Sequence, residues 1–184
     1  MKEQKMQAES EWKSNLYDWL QSIVFVIVGC VFVFVFLARI VTVDGSSMYP
    51  TLEDKERLIV SNLSKTYRQG DIVVFDAPEF EYTTGPLIKR VIATEGQTVS
   101  IDFENGTVSV DGVVQDEPFI AEPTYIQEDY TGPVTVPEGC VYCMGDNRNH
   151  STDSRTASIG CVDTREILGK AYWRLFPLKS FGKL

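Results

Sequence analysis

One histidine, His150, is all the imidazole this chain contains. A Ser-His-Asp triad would have to be built on it. It stands in the polar run "NRNHSTDSR", where it reads as a solvated loop residue. A catalytic serine in this chain is therefore expected to use another base. Cysteine is scarce as well. Cys30 lies in an apolar run and reads as a small hydrophobe. That leaves Cys140, Cys143 and Cys161. "CVYC" has the spacing of a metal or redox pair. It falls in a strand-like segment, however, where positions 140 and 143 point to opposite faces. With no second Cys-x-x-Cys, a structural zinc site lacks ligands. A disulfide using Cys161 stays open for a domain outside the cytoplasm, its pairing undecided. No segment calls for a metal or a cofactor.

Positive charge is the next shortage. The chain carries 17 Lys and Arg against 26 Asp and Glu, a net charge of −9. No basic stripe appears, and phosphate contacts need clustered Lys or Arg, so nucleic acid is not an expected partner. No amphipathic helix of ordinary length stands out, and no internal repeat. At 184 residues and 43% hydrophobic, the chain has enough for a packed core and suggests one domain with a small inserted lobe.

What is present begins with a run free of charge, "WLQSIVFVIVGCVFVFVFLA", from Trp19 to Ala38. Twenty helical residues span about 30 Å, the thickness of a bilayer core. "VFVFVF" alternates like a buried strand, but in lipid a single span must be helical to satisfy its backbone. Tyr17 and Trp19 suit the interfacial belt. A cleavable signal peptide competes with this reading. Its apolar region would be shorter and end in small residues, whereas "FLARIVTV" is bulky and β-branched. The favoured assignment is an uncleaved signal anchor over 19–40, preceded by a short segment 1–18. Lys2, Lys5 and Lys13 before it and Arg39, Lys55 and Arg57 after it give little orientation.

Beyond the span the chain reads as β. "RLIVSN" (57–62), "DIVVFDA" (71–77) and "PLIKRVIA" (86–93) are short β-branched runs between polar turns. "TVSIDFENGTVSVDGVV" (98–114) is a hairpin pattern turning at Asn105-Gly106, with a second turn at Asp111-Gly112. Residues 115–137 carry four prolines and read as loop. "GCVYCMGDN" (139–147) and "ILGKAYWRLFPL" (167–178) complete the strands.

Three segments carry candidate chemistry. Lys89 shares a strand face with Leu87 and Val91, and burial there would favour its neutral, basic form. An edge-strand lysine that blocks aggregation gives the same pattern. In "VDGSSMYPTL" (43–52), Gly45 can adopt positive φ and Pro50 stiffens the exit. Such a stretch holds a nucleophile or a plain turn equally well. In "MGDNRNHSTDSR" (144–155), charges of both signs alternate, as on a solvated loop or in a buried network bracing a site.

Together and in this order, "GSSMYPTL", "GDIVVF", "IKRVIATEGQTV" and "MGDNRNHSTDSR" after an N-terminal span resemble the type I signal peptidases in their short Gram-positive form. The resemblance runs from the span nearly to the C-terminus. It implies a serine endopeptidase that removes signal peptides from secretory preproteins and needs no cofactor. The anchor would be a single pass through the plasma membrane, with the N-terminus cytoplasmic and the catalytic domain outside. The fold implied is mostly β: an antiparallel β-sheet catalytic core from 44–95 and 138–184, with a small β lobe inserted at 96–137. Ser47, directly before Met48, takes the nucleophile's place, and Lys89, before Arg90, the general base's. Ser151 aligns with a serine that orients the lysine. Asp153 with Arg155, and Arg90 with Asp146, align with supporting ion pairs. The oxyanion hole would use the Ser47 backbone N–H. Some members add a hydroxyl two residues earlier, where this chain has Gly45, so the second donor falls to a backbone N–H or a water. Substrates would carry small residues at −1 and −3, an Ala-x-Ala pattern, and would add along a strand edge. A tethered, non-catalytic β domain is the alternative class, though it would be expected to lose Ser47 or Lys89. A peptidase dedicated to one substrate is the other. Oligomeric state is not legible.

Overall fold

In a computed structural model of the protein, the described residues are 2–32, 38–76 and 85–184, with side chains from residue 15 onward. They divide into two compact units, 1–38 and 39–184.

The first unit is a helix, α1 (Lys2–Phe32). Within it Asn15–Phe32, with a mean hydropathy of 1.5, is long and apolar enough to cross a membrane. Its apolar side chains, Trp19, Phe25, Val26 and Ile27 among them, are exposed. The sequence assignment of the span to 19–40 needs correcting at its end. Residues 33–37 of that assignment lie outside the described residues. Arg39 and Ile40 open strand β1 (Arg39–Thr42) instead, paired with Val60 and Ile59 of β2 (Arg57–Ser61). "RIVT" is β-branched at three of its four positions and gains ladder bonds that a helix end would lack.

The second unit holds two antiparallel sheets. Besides β1 and β2, the larger contains β3 (Ile72–Phe75), β4 (Leu87–Thr94), β9 (Cys140–Met144), β10 (Val162–Asp163) and β11 (Ile167–Phe176). Their order is β1-β2-β11-β3-β4-β9-β10, with β12 (Gly182–Lys183) paired to β11. Ala77, expected to end the second strand, lies outside the described residues. Both faces of this sheet are covered. Ile72, Val74 and Ile88 join Met48, Leu52 and Val60 in one cluster, while Val73, Phe75 and Val91 join Val141, Cys143 and Ile167 in another. That double burial makes β3 apolar at every position rather than alternating. Gly169 lets β11 cross close over β2: a Cβ there would fall 2.7 Å from Val60 Cγ1 and 2.8 Å from the Ser61 carbonyl oxygen.

The smaller sheet is the insertion: β5 (Thr98–Asp102), β6 (Thr107–Val110), β7 (Val113–Val114) and β8 (Val134–Thr135), ordered β7-β6-β5-β8. Its second turn has Asp111 at φ 52° and Gly112 at φ 78° between paired Val110 and Val113, a two-residue turn whose twist suits a hairpin. The insertion does not stand apart from the rest of its unit. Val99, Val108, Val110 and Val136 pack with Ile92, Ala93, Tyr142 and Met144 of the larger sheet in one cluster.

Candidate active site

Ser47 lies in the loop between β1 and β2. Its base is closed by Val43 N–H to the Glu56 carbonyl (2.8 Å) and Lys55 N–H to the Val43 carbonyl (2.9 Å). Met48 and Leu52 are buried in the core and hold the loop from below. Gly45 has φ 88°, open to glycine at little cost, and its N–H donates to Asp54 Oδ1 at 2.8 Å. That N–H is thus engaged within the loop and does not face outward as a second oxyanion donor. From across the site Asn147 grips the same loop. Its backbone N–H donates to the Ser47 carbonyl at 3.0 Å and its Nδ2 to the Ser46 carbonyl at 3.1 Å. Ser46 itself is exposed.

Lys89 stands on β4 opposite Val73 and is 2% exposed. Its Nζ donates to Ser47 Oγ at 2.9 Å, joining residues 42 apart in the chain. Burial is the main force on its proton, bringing the ammonium down from 10.5 to about 8. The nearby Arg155 guanidinium pushes the same way, while Asp153 and Cys143 push back. A lysine so placed is neutral in a useful fraction near pH 8 and already touches the hydroxyl it would deprotonate.

The same shift has a stability consequence. A lysine pKa lower in the folded than in the unfolded chain penalises folding at low pH. The penalty is fully present below about pH 8, shrinks as pH rises from 8 towards 10.5, and is gone above 10.5. Lys89→Met keeps the apolar stem and removes the charge. It is expected to stabilise the protein at pH 7 by on the order of 3 kcal/mol while removing activity. Urea melts at pH 7 and pH 10 check this: the gain should shrink at the higher pH, and a destabilised variant at pH 7 contradicts it.

The loop after β9 supplies the surrounding network. Asp153 and Arg155 are paired at 2.9 Å with both side chains fully buried. Asp153 Oδ2 also accepts from Gly145 N–H at 3.0 Å, and Arg155 Nη1 donates to the Ile126 carbonyl at 2.8 Å. Arg90 and Asp146 form a two-point pair at 2.8 and 2.6 Å, with the Phe119 ring 4.1 Å from the guanidinium carbon. Ser151 differs from expectation. Its Oγ is buried and makes no hydrogen bond among the described residues, to Lys89 or otherwise. It faces Gly145 instead, where an added Cβ would come within 2.2 Å of Ser151 Oγ and 2.5 Å of the Ser47 carbonyl oxygen. Gly145→Ala is therefore expected to push the nucleophile loop off Lys89 and lower turnover by about 100-fold or more, as an ångström's displacement can. Near-normal kcat in that variant would contradict the packing.

His150 is exposed, on a single 3-10 turn (Arg148–His150), and its side chain bonds neither Ser47 nor Lys89. Two further buried partners had no signal in spacing. Arg148, fully buried, pairs with Glu117 at 2.7 Å, a residue 31 positions upstream in the insertion, and reaches Thr124 Oγ1 at 3.1 Å. Asn147 was visible only as part of a polar loop. The cysteines are free, and no group of His, Cys, Asp or Glu able to hold a metal ion occurs among the described residues.

Comparison with known proteins places this arrangement in context. The family model described as signal peptidase, peptidase S26, matches residues 16–176. A signal peptidase I of Bacillus licheniformis is 33% identical over 93% of this chain and 94% of its own length. Signal peptidase I S of Bacillus subtilis is 31% identical over 93% and 95%. A probable signal peptidase I-1 of Synechocystis is 40% identical over 81% and 76%. Among solved structures, a signal peptidase I of Enterococcus faecalis is 28% identical, covering 57% of this chain and 96% of that chain with a TM-score of 0.45. With a family match spanning most of its length and relatives aligned nearly end to end, the chain belongs to the signal peptidase family, peptidase S26.

Proposed function

We propose that this protein is a membrane-anchored signal peptidase I that cuts signal peptides from preproteins by a Ser47–Lys89 mechanism. The observation that carries the reading is the 2.9 Å contact between Ser47 Oγ and the buried Lys89 Nζ. Neutral Lys89 takes the hydroxyl proton as Ser47 Oγ bonds to the scissile carbonyl carbon, and the carbonyl π pair moves to oxygen. When that oxyanion collapses, the C–N bond breaks and protonated Lys89 returns the proton to the leaving amine. A water then gives its proton to Lys89, attacks the ester and frees the signal peptide, regenerating Ser47. Asp153, Arg155, Arg90 and Asp146 brace the loop after β9, from which Asn147 holds the Ser46 and Ser47 carbonyls. Ser151, packed against Gly145, fills space behind Ser47.

Substrate recognition is proposed to follow the family: an extended chain added along a strand edge, with small side chains at −1 and −3. The apolar stretch Asn15–Phe32 suits an anchor that keeps the site near bilayer-held signal peptides and raises their effective concentration. The N-terminus would be cytoplasmic and the catalytic domain outside.

The test is cleavage of a purified preprotein by the full chain in detergent, with the product's new N-terminus read by mass spectrometry. One cut after an Ala-x-Ala sequence is expected, lost when the −1 alanine becomes leucine. Cleavage indifferent to the −1 residue, or none at all, counts against the proposal.

A further inference from the structure

We infer that Asn147 is a positioning residue for the oxyanion donor: its side-chain amide holds the Ser46–Ser47 peptide so that the Ser47 N–H faces the substrate carbonyl. The inference rests on the reading of Ser47 as nucleophile and deepens it.

The geometry starts from the peptide plane. The Ser46–Ser47 bond is trans, since among the described residues the cis bonds are those before Pro50 and Pro177. In a trans peptide the C=O and the following N–H point in opposite directions. Fixing the Ser46 carbonyl therefore fixes where the Ser47 N–H points. Two donors fix it, Asn147 Nδ2 at 3.1 Å and the Tyr49 N–H at 3.0 Å. The Ser47 N–H, on the far side of that plane, donates to nothing among the described residues. The next carbonyl, that of Ser47, is held by the Asn147 backbone N–H at 3.0 Å. Asn147 thus brackets the nucleophile's peptide on both sides, and only one of its two bonds depends on its side chain.

Asn147 is itself held firmly. It is 8% exposed, and its neighbours on either side are buried charges. Asp146 pairs with Arg90 at 2.6 Å, and Arg148 pairs with Glu117. These pairs anchor the chain at 146 and 148, and so set where the amide of 147 presents its donor. This gives the insertion a role at the reacting carbonyl through Glu117, Arg148 and Asn147. An oxyanion donor acts through preorganisation, because it must already be aimed when charge develops. A carboxylate at 147 would set an oxygen against the Ser46 carbonyl oxygen. An alanine would leave that carbonyl to Tyr49 alone.

The experiment measures kcat, KM, the pH midpoint of kcat/KM and the thermal midpoint for wild type, Asn147→Ala and Asn147→Asp, using the full chain in detergent and the preprotein substrate. The expected result is kcat down about 10- to 100-fold in Asn147→Ala and further in Asn147→Asp, as for a weakened oxyanion donor. KM and the pH midpoint should stay as in wild type, and both variants should remain folded. Wild-type kcat in Asn147→Ala overturns the inference. So does a loss carried by KM, a moved pH midpoint, which would place Asn147 on Lys89 instead, or activity that falls only in step with the folded fraction. Ser47→Ala runs alongside: full activity in that variant, or none in wild type, sinks the nucleophile reading itself, a result distinct from any pattern among the Asn147 variants.

Discussion

Alanine in place of Lys89 is expected to abolish cleavage while leaving the protein folded. Lys89 Nζ lies 2.9 Å from Ser47 Oγ and is the proposed general base. Serine hydrolases stripped of nucleophile or base lose about 10⁴- to 10⁶-fold in kcat. Lys89→Ala and Ser47→Ala should fall in that range, and the double variant should fall little further, because the two act as a unit. Ser46→Ala should keep most activity, since the network holds the Ser46 carbonyl and not its hydroxyl. His150→Ala should be close to wild type, its ring being exposed. Rates from a preprotein cleavage assay decide it. Near-normal turnover in Lys89→Ala removes the dyad, and a folded, inactive His150→Ala restores a Ser-His mechanism.

Arg155→Ala should produce the largest loss of stability among the site variants. It leaves Asp153, fully buried, without its partner at 2.9 Å. It also strips donors from the carbonyls of Ile126, Arg148 and Ser151. Breaking a buried pair from one side costs about 3–5 kcal/mol, because the remaining charge stays desolvated. Denaturant melts of the full chain measure this, and a loss under about 1 kcal/mol would show that the pair is not buried as described. A second effect separates electrostatics from folding. The Arg155 charge helps hold the Lys89 ammonium down, and Asp153 holds it up. Removing Arg155 leaves Asp153 unopposed, so in whatever fraction remains folded the activity midpoint should move to higher pH.

The parts of this site that the sequence exposes are those where a residue's own surroundings constrain it. Lys89 sits among Leu87, Ile88, Val91 and Ile92, so its burial could be expected from the strand pattern alone. The choice of Ser47 over Ser46 rests on resemblance; in the structure the Ser47 hydroxyl meets the lysine and Ser46 is exposed. Glu117 was not visible, because its partner Arg148 is 31 residues away and buried pairs at such separations follow no spacing rule. The sharing of a core between insertion and main sheet was hidden for a related reason. Val99, Val108 and Val110 alternate as in any half-exposed hairpin, and nothing local says that Tyr142 and Met144 cover them. Ser151 went the other way. The resemblance implies a bond to the lysine, yet its hydroxyl packs against Gly145. At Gly45 the sequence showed a missing hydroxyl, but not that Asp54 occupies the N–H.

The central claim is that a buried lysine, and no other group, deprotonates Ser47. The pH dependence of kcat/KM tests it most directly. The account predicts one ionisation near pH 8, with rate rising about tenfold per pH unit below it and level above it, unchanged in His150→Ala. An inflection that vanishes in His150→Ala would contradict it.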